Sequence, residues 1–276
     1  MPSFYLFTFI FYLLFEKCRL EYENRKCTKM FNPFSLEGKT ILVTEASSGI
    51  GRAIAIDCSK MGASIIITGR NEERLKETFS LLVGQNNSII NADITLQKDK
   101  IIGSLQAIDG LVNAAGIIGI QPFQFISEEE IRNMFNVNFF SPVLLTQLII
   151  AKKILRKNGS IVFISSLAGN VIVSKGNASY SASKSALTAI AKTLALELAS
   201  KRIRVNSILP GMVKTEMMQS FLQNITPDQL EEDEKKYPLG YGEPGDVSKA
   251  AIYFLSDASK WVTGSSLIMD GGYSLQ

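Results

Sequence analysis

Short apolar runs alternate along the chain with longer stretches in which apolar residues recur at helical spacing. The short runs have the length of buried strands. Apolar strands that alternate with helices are typical of a parallel sheet covered on both faces. The pattern therefore predicts an α/β fold, a doubly wound parallel sheet with helices on both faces. Predicted strands cover 40–44, 64–68, 88–91, 110–114, 160–164 and 203–208, and predicted helices cover 49–62, 71–84, about 96–106, Ser127 to about Leu155, and about Ala178 to Ala199.

One domain accounts for most of the chain. Its 276 residues fit a single large α/β domain, and the sequence shows no internal repeat, low-complexity tract or second domain. The polar segment 212–242 is rich in loop-forming residues, and we interpret it as a mobile cover over the site. We assign residues 35–276 to the domain and residues 1–34 to an N-terminal extension.

The extension contains the apolar run FYLFTFIFYLLF at residues 4–15. This run is shorter than the roughly twenty residues that span a bilayer, so no integral membrane span is predicted. It also lacks the basic region and the small-residue cleavage site of a signal peptide. Three interpretations stay open: sequence translated upstream of a true start at Met30, a membrane-surface anchor, and a degenerate signal.

The chain contains no histidine. Ser-His-Asp and Cys-His catalysis are therefore excluded, as is every metal site with a histidine ligand, and we predict no metal. Proton transfer must use Tyr, Lys, Asp, Glu or Cys side chains. A net charge of +3 without a basic block argues against a nucleic-acid partner. Cys18, Cys27 and Cys58 form no CxxC pair, which favours a reducing compartment, and we expect the cytoplasm.

The sequence TEASSGIG at residues 44–51 follows the first predicted strand and opens the first helix. Ligands of a doubly wound sheet bind at this end of the strands, and glycines in such a turn let the backbone approach a pyrophosphate. Gly49 and Gly51 fit that role, although a purely structural turn would use the same residues. Glu45 is a departure, because a dinucleotide-binding turn normally carries glycine there.

The second predicted strand ends in Gly69 and Arg70. Proteins that use NAD usually carry an acid near this point, which binds the ribose 2′-hydroxyl. A guanidinium instead suits a 2′-phosphate, because its planar donors bind phosphate in a bidentate way. Arg70 could also be a solvated loop charge. Together with the glycine turn, it predicts NADP(H) as the cofactor in preference to NAD(H).

Tyr180 and Lys184 are one helical turn apart in YSASK and lie on the same helix face. A tyrosine has a pKa of about 10 and is mostly neutral at pH 7. A neighbouring ammonium favours the phenolate and is expected to bring that pKa towards the working range. In a chain without histidine this is the best candidate acid/base pair, although the same spacing also occurs by chance on helix surfaces.

These motifs belong to an ordered series: TEASSGIG, NAAG (113–116), NVN (136–138), SSLAG (165–169), YSASK (180–184), PGMVKT (210–215) and TGSSLIMDGG (263–272). In this order they resemble the classical short-chain dehydrogenase/reductase family over about residues 35–276. The resemblance implies a single Rossmann-type domain that transfers hydride between a nicotinamide cofactor and a ketone or secondary alcohol. Within the family, the chain resembles 3-oxoacyl-carrier-protein reductases.

The resemblance also implies roles for site residues. Tyr180 matches the catalytic acid/base, and Lys184 matches the residue that lowers its pKa and holds the nicotinamide ribose. Ser166, in preference to Ser165, matches the serine that hydrogen-bonds the substrate oxygen, and Asn138 matches the asparagine that holds a water in the proton relay. The implied cofactor-binding residues are Thr44, Ser47, Ser48, Ile50, Gly51, Arg70, Asp93, Ile94, Asn113, Gly116, Tyr180, Lys184, Pro210, Gly211, Val213 and Thr215.

Some of these cofactor contacts have a specific implied partner. Asp93 matches the acid that contacts adenine. Asn113 and Gly116 match the turn beside the adenosine ribose, and Thr215 matches the contact to the nicotinamide carboxamide.

Family members with alanine at the Glu45 position imply that the turn does not require a positive φ there. The concern is electrostatic, since a carboxylate repels the phosphates by roughly 3 kcal/mol at about 6 Å and an effective dielectric near 20. Glu45 can instead point outward or pair with Arg70. Because the catalytic residues are all present, the sequence predicts a working enzyme with an impaired or retuned cofactor pocket.

The resemblance leaves the substrate open. One candidate is a 3-oxoacyl group on an acyl-carrier protein, since Lys157 and Lys201 fall where relatives that use such carriers are basic. Both lysines also lie near predicted helix C-termini, where a cation is favourable anyway. The alternatives are a sugar, polyol or other alcohol dehydrogenase and, in another class, a non-catalytic nucleotide sensor. Apolar residues on more than one face of the helix at 139–150 predict a homo-oligomer, and the resemblance implies a tetramer.

Overall fold

The computed structural model of the protein describes residues 31–218 and 226–275. Residues 34–276 form one compact unit. The apolar run at 4–15, Cys18, Cys27 and the proposed start at Met30 lie outside the described residues. So does the stretch 219–225 of the polar segment. The three interpretations of the extension therefore stay predictions.

Seven parallel strands form one sheet in the order β3-β2-β1-β4-β5-β6-β7. The chain winds outward from β1 to β3, crosses back and winds from β4 to β7, so the winding direction reverses between β1 and β4. Ligands of such sheets bind at this reversal, outside the carboxyl ends of the strands. The strands are β1 (Thr40–Thr44), β2 (Ser64–Gly69), β3 (Ser88–Asn91), β4 (Ile108–Asn113), β5 (Leu155–Ile164), β6 (Arg204–Pro210) and β7 (Ser266–Met269).

Helices cover both faces of the sheet, as the sequence predicts. One apolar core contains the helical residues Ile54 and Phe254, and the other contains the helical residues Leu145 and Leu187, all nearly or fully buried. The predicted doubly wound fold is therefore confirmed. The helices are α1 (Gly49–Lys60), α2 (Glu72–Ser80), α3 (Lys98–Ser104), α4 (Glu128–Phe135), α5 (Ser141–Ala151), α6 (Ala178–Glu197), α7 (Pro227–Glu234) and α8 (Pro244–Leu255).

The predicted long helix from Ser127 to Leu155 is wrong at its C-terminal end and is not regular. Ser127 does begin it, through a capping box with Glu130. A π-helical turn at Asn136–Phe140 separates α4 from α5. The helix ends at Ala151, and Lys153 reverses the chain with a φ of 58°. β5 therefore begins at Leu155, earlier than predicted.

Other elements also differ from the predicted ones. Lys157 is exposed in β5, so it does not lie near a helix C-terminus, whereas Lys201 ends a 3-10 turn after α6 as expected. Asn71 caps α2 by accepting a hydrogen bond from the Arg74 N–H, but the helix ends at Ser80. Helices α7 and α8 and strand β7 are absent from the predicted elements, and α7 lies in the segment 212–242 that we expected to be rich in loops.

The helical stretch Glu128–Ala151 is the one part of the described chain that is long and apolar enough to cross a membrane by length and composition. Core helices pass the same test. Here Leu145 and Ile149 are fully buried in the core cluster that also contains Leu187. We therefore assign this stretch to the core of the domain.

Candidate active site

The turn between β1 and α1 depends on two glycines. Gly49 has a φ of 52°, which glycine adopts without strain. Gly51 packs against the preceding turn so closely that a Cβ would lie 2.4 Å from the carbonyl oxygen of Glu45. Ser47 is buried, whereas Ser48 and Ile50 are half-buried at the start of α1. No side chain caps the N-terminus of this helix, so its backbone N–H groups are candidates for binding an anionic group.

Thr44 and Asn113 sit where the winding of the sheet reverses, and both are buried. The Thr44 hydroxyl donates to the Val112 carbonyl at 3.3 Å and accepts from the Ala114 N–H at 3.0 Å. It therefore joins the ends of β1 and β4, and a contact of Thr44 with the cofactor stays a prediction. The Asn113 amide donates to the Thr146 hydroxyl at 3.1 Å, and its Oδ1 has no hydrogen-bond partner within the described part of the chain.

Glu45 adopts a φ of 50°, the left-handed region, so the expectation that this position needs no positive φ is wrong for this chain. Its carboxylate oxygen Oε1 lies 3.8 Å from Nε of Arg70, which follows β2 and is exposed. Burial raises the pKa of the Glu45 carboxyl, Arg70 partly opposes this, and Asp93 adds to it. The sequence left open whether the Glu45 side chain points outward or pairs with Arg70. In the structure it pairs with Arg70.

Asp93 forms a turn after β3. Its Oδ1 accepts from the Thr95 N–H at 2.7 Å and from the Thr95 hydroxyl at 2.6 Å. Ile94 beside it is buried. A contact from Asp93 to adenine thus stays a prediction, and a local structural role is visible.

Tyr180 and Lys184 lie on one face of α6, but the lysine is turned towards the sheet. Lys184 Nζ donates to the carbonyl oxygen of Ile164 at 3.0 Å and lies 6.0 Å from the centre of the Tyr180 ring. Burial lowers the pKa of Lys184 to about 8. Burial also raises the pKa of Tyr180, which a hydrogen bond with Ser166 partly offsets. The expected lowering of the tyrosine pKa is therefore not present in this structure.

The two candidate serines have different environments. Ser165 is buried and fully engaged, since its hydroxyl donates to the Lys184 carbonyl at 2.8 Å and lies 2.9 Å from the Thr188 hydroxyl. Ser166 is half-buried and hydrogen-bonds Tyr180. The geometry thus favours Ser166 over Ser165 as the residue that contacts a substrate.

Asn138 lies in the π-helical turn and is fully buried. Its side-chain amide accepts a hydrogen bond from the Ile117 N–H at 2.8 Å and donates one to the Ile117 carbonyl oxygen at 3.0 Å. It also donates to the Ser183 hydroxyl at 3.1 Å. The loop after β4 is thereby held against α6. Gly116 in that loop lies so near Lys184 that a Cβ would be 2.9 Å from Nζ.

A cavity of about 140 Å³ gathers many of the predicted residues at the carboxyl ends of β4, β5 and β6. Thr215 contacts the first turn, since a Cβ on Gly49 would lie 3.3 Å from its methyl group. Val213 accepts a hydrogen bond from the Thr215 hydroxyl. The predicted residues that line this cavity are Ile50, Gly116, Ser166, Tyr180, Lys184, Pro210, Gly211, Val213 and Thr215.

A wider cleft of about 560 Å³ shares Ser166 and Tyr180 with the cavity. Its wall includes Tyr237 and Tyr273, whose rings stack at 4.6 Å, and these residues were not predicted from the sequence. The two tyrosines of YPLGYG (237–242) could have indicated an aromatic wall, but they lie in a segment that is otherwise polar. Arg70 and Asp93 do not line either space and lie at the β2 and β3 ends of the sheet.

Known proteins resemble this chain over most of its length. The family model described as enoyl-(acyl carrier protein) reductase matches residues 45–274. The 3-oxoacyl-[acyl-carrier-protein] reductase of Rickettsia prowazekii is 34% identical, over 86% of this chain and 97% of that protein. The 2,5-dichloro-2,5-cyclohexadiene-1,4-diol dehydrogenase of Sphingobium indicum is 34% identical, over 87% of this chain and 98% of that protein.

A solved structure from Agrobacterium tumefaciens, described as a 2-deoxy-d-gluconate 3-dehydrogenase with bound NADP, is 30% identical with a TM-score of 0.77, covering 89% of this chain and all of that chain. The chain therefore belongs to the short-chain dehydrogenase/reductase family. Members of this family are oxidoreductases that use NAD(P), so the protein is an enzyme of that class.

Proposed function

We propose that the protein is an NADP(H)-dependent oxidoreductase that interconverts a ketone and a secondary alcohol. The observation that carries this proposal is one cavity lined by Ser166, Tyr180 and Lys184 together. It holds a hydroxyl donor, a phenol and an ammonium, which are the groups that carbonyl reduction needs in a chain without histidine.

The residues around this cavity fit a nicotinamide dinucleotide, which supplies or accepts the hydride when bound. No side chain caps the N-terminus of α1, and the buried Asn113 Oδ1 offers an acceptor without a partner among the described residues. Thr215 and Val213 would lie at the nicotinamide end, and Arg70 would bind a 2′-phosphate. The NADP-bound relative from Agrobacterium tumefaciens supports the choice of cofactor.

In the reducing direction, the carbonyl carbon gains hydride and the carbonyl oxygen gains a proton. Tyr180 Oη donates that proton, and the Ser166 hydroxyl polarises the same oxygen by a hydrogen bond. A charged Lys184 in the same cavity stabilises the phenolate that remains. We propose that Asn138 acts by holding the loop after β4 and a relay water.

The wide cleft bears on the substrate class. Helix α7 runs along its rim, and two of the helix's carboxylates, Glu232 and Asp233, line it. The one lysine in the lining, Lys236, is paired with Asp233 at 2.9 Å. A carrier-bound acyl group arrives on a phosphate-bearing arm, which this acidic rim repels. The similarity to the Rickettsia prowazekii reductase supports a carrier-bound 3-oxoacyl substrate. The acidic rim favours the second candidate, a neutral sugar, polyol or other alcohol.

The test is a substrate panel with NADPH and NADP⁺ that follows absorbance of the reduced nicotinamide. It includes an acetoacetyl thioester, ketoses, polyols and cyclic diols. Turnover of any of them supports the reaction class, and faster turnover of a neutral alcohol supports the second candidate. Cofactor binding, seen by nicotinamide fluorescence, without turnover of any compound would contradict the enzyme proposal and favour a nucleotide sensor. We further propose that the enzyme is a cytoplasmic homotetramer that binds no nucleic acid and no metal.

A further inference from the structure

We propose that Glu45 is a specificity-determining residue. Its carboxylate competes with the 2′-phosphate of a bound dinucleotide for Arg70, so that the preference for NADP(H) over NAD(H) depends on the charge of Glu45. This inference rests on the proposed function and concerns how the first turn selects between the two cofactors.

The fold places the two side chains side by side. Glu45 directly follows β1 and Arg70 directly follows β2, and these strands are parallel neighbours in which Thr44 is paired with Thr68. Glu45 Oε1 lies 3.8 Å from Arg70 Nε, one of the donors that a phosphate would use. Glu45 is the more buried of the two, since its side chain is 24% exposed against 62% for Arg70.

The backbone of the turn does not require a carboxylate at this position. Glu45 has a φ of 50°, a conformation that favours glycine. Gly51 packs onto the Glu45 carbonyl group, so backbone contacts hold the turn. The Glu45 carboxylate therefore acts through its charge, on Arg70 and Asp93.

Two charged side chains act on Glu45: the Arg70 guanidinium attracts its carboxylate, and the Asp93 carboxylate repels it. Arg70 faces Glu45 from the end of β2, and Asp93 faces it from the loop after β3. Arg52 of α1 is instead 3.6 Å from Glu77 of α2. A 2′-phosphate must displace Glu45 from Arg70 and then lie beside both acids. A partly screened like-charge contact of this kind weakens binding by about ten- to a hundredfold.

The direction of the pH effect follows from the ion pair. Protonation of Glu45 removes one negative charge and releases Arg70, so the preference for NADPH should rise as the pH falls. Since burial raises the pKa of Glu45, this change occurs at a higher pH than for an ordinary glutamate. A phosphate itself gains a proton at about pH 6, with the opposite effect. The contribution of Glu45 is therefore measured as the difference between wild type and Glu45→Gln at each pH.

The experiment titrates NADPH and NADH into the protein and follows nicotinamide fluorescence, at two pH values and at low and high salt. We expect Glu45→Gln and Glu45→Gly to raise the ratio of the NADH to the NADPH dissociation constant by about ten- to a hundredfold at pH 8 and low salt. The gain should shrink at low pH and at high salt. It should also be smaller when Arg70 is changed to Ala, because competition for the guanidinium is then lost and only the direct repulsion remains. Glu77→Gln removes a nearby carboxylate that is paired elsewhere and should leave the ratio unchanged.

An unchanged ratio in both Glu45 variants would overturn this inference alone, since the cofactor would still bind. A lower ratio would overturn it as well, because Glu45 would then orient Arg70 for the phosphate. Failure of wild type and every variant to bind either dinucleotide would overturn the proposed function and this inference with it.

Discussion

Lys184 donates a hydrogen bond from Nζ to the carbonyl oxygen of Ile164, at 3.0 Å. This bond fixes the Lys184 ammonium of α6 at the end of β5, and Lys184 is only 4% exposed. An ammonium buried with one carbonyl partner is poorly solvated, which is why the pKa of Lys184 is lowered to about 8. A charged Lys184 therefore lowers the stability of the folded protein.

The first prediction concerns stability against pH. In the unfolded chain Lys184 titrates at its ordinary 10.5, and in the folded protein at about 8. Between these values the unfolded state binds more protons, so the free energy of unfolding should rise with pH from about 8 to 10. The full rise is about 3 kcal/mol. Urea unfolding at pH 7, 8, 9 and 10 measures it, with Lys184→Met as the matched control that should lack this rise. Parallel pH curves for the two proteins would contradict the prediction.

The second prediction is that Tyr180→Phe reduces turnover by about a hundredfold or more while NADPH binding changes little. The phenol is the proton donor in the cavity, and its ring, which the variant keeps, fills the same space. Steady-state kinetics on whichever substrate the panel identifies, together with fluorescence titration of NADPH, measures both properties. Turnover within tenfold of wild type would remove Tyr180 from its proposed role.

The third prediction compares the two adjacent serines. Ser166→Ala removes the hydroxyl that hydrogen-bonds Tyr180 and should lower kcat by about a hundredfold or more. Ser165→Ala should mainly lower stability, by about 1 kcal/mol, because it removes the buried hydrogen bonds of the Ser165 hydroxyl with the Lys184 carbonyl and the Thr188 hydroxyl. Measured kcat values and urea midpoints separate the two effects. A larger loss of kcat in Ser165→Ala would show that the substrate contacts the other serine.

Most of the sheet is predictable from the sequence because buried parallel strands are continuous apolar runs with clear boundaries. β7 is harder to detect: Ser266–Met269 is only partly buried at the edge of the sheet, so it has no such run. The break in the long helix is also invisible, since a π-helical turn keeps apolar residues close to helical spacing. Lys153 ends that helix with a positive φ, which the sequence alone does not reveal for a lysine.

The candidate site is predictable as a set of residues but not in its electrostatics. The motifs bring Ser166, Tyr180 and Lys184 to one cavity, as expected. A spacing of one helical turn does not tell which way the lysine points, and here burial dominates the pKa of Tyr180. The pairing of Glu45 with Arg70 similarly depends on strand neighbours that are distant along the chain.

The fourth prediction is that a chain starting at Met30 is soluble and fully active. β1 begins at Thr40, and the first core residue of the domain is Leu36, which is fully buried. Solubility, turnover and thermal unfolding of the shortened chain measure this. A chain starting at Lys39 is the control: it lacks Leu36 and should lose about 2–5 kcal/mol of stability. Insolubility or inactivity of the chain from Met30 would assign a structural role to the extension.

The fifth prediction is a homotetramer with two kinds of interface. Phe140 and Leu144, near the start of α5, are 49% and 45% exposed although both are large apolar residues. A second set of exposed apolar residues, Trp261, Ile268 and Leu275, lies at the C-terminal edge of the domain. We predict that each set forms a surface that pairs with itself, and two such pairings give a tetramer with twofold axes.

Light scattering after size-exclusion chromatography measures the mass of the assembly. We expect four chains for wild type at micromolar concentration and a smaller assembly for Leu144→Arg, because a buried unpaired guanidinium opposes pairing of that surface. Leu96→Arg is the control, since Leu96 is 82% exposed in the loop before α3, away from both apolar surfaces along the chain, and its change should leave the mass unaltered. A stable wild-type monomer would contradict the tetramer, and an unchanged mass for Leu144→Arg would place the interface on another surface of the domain.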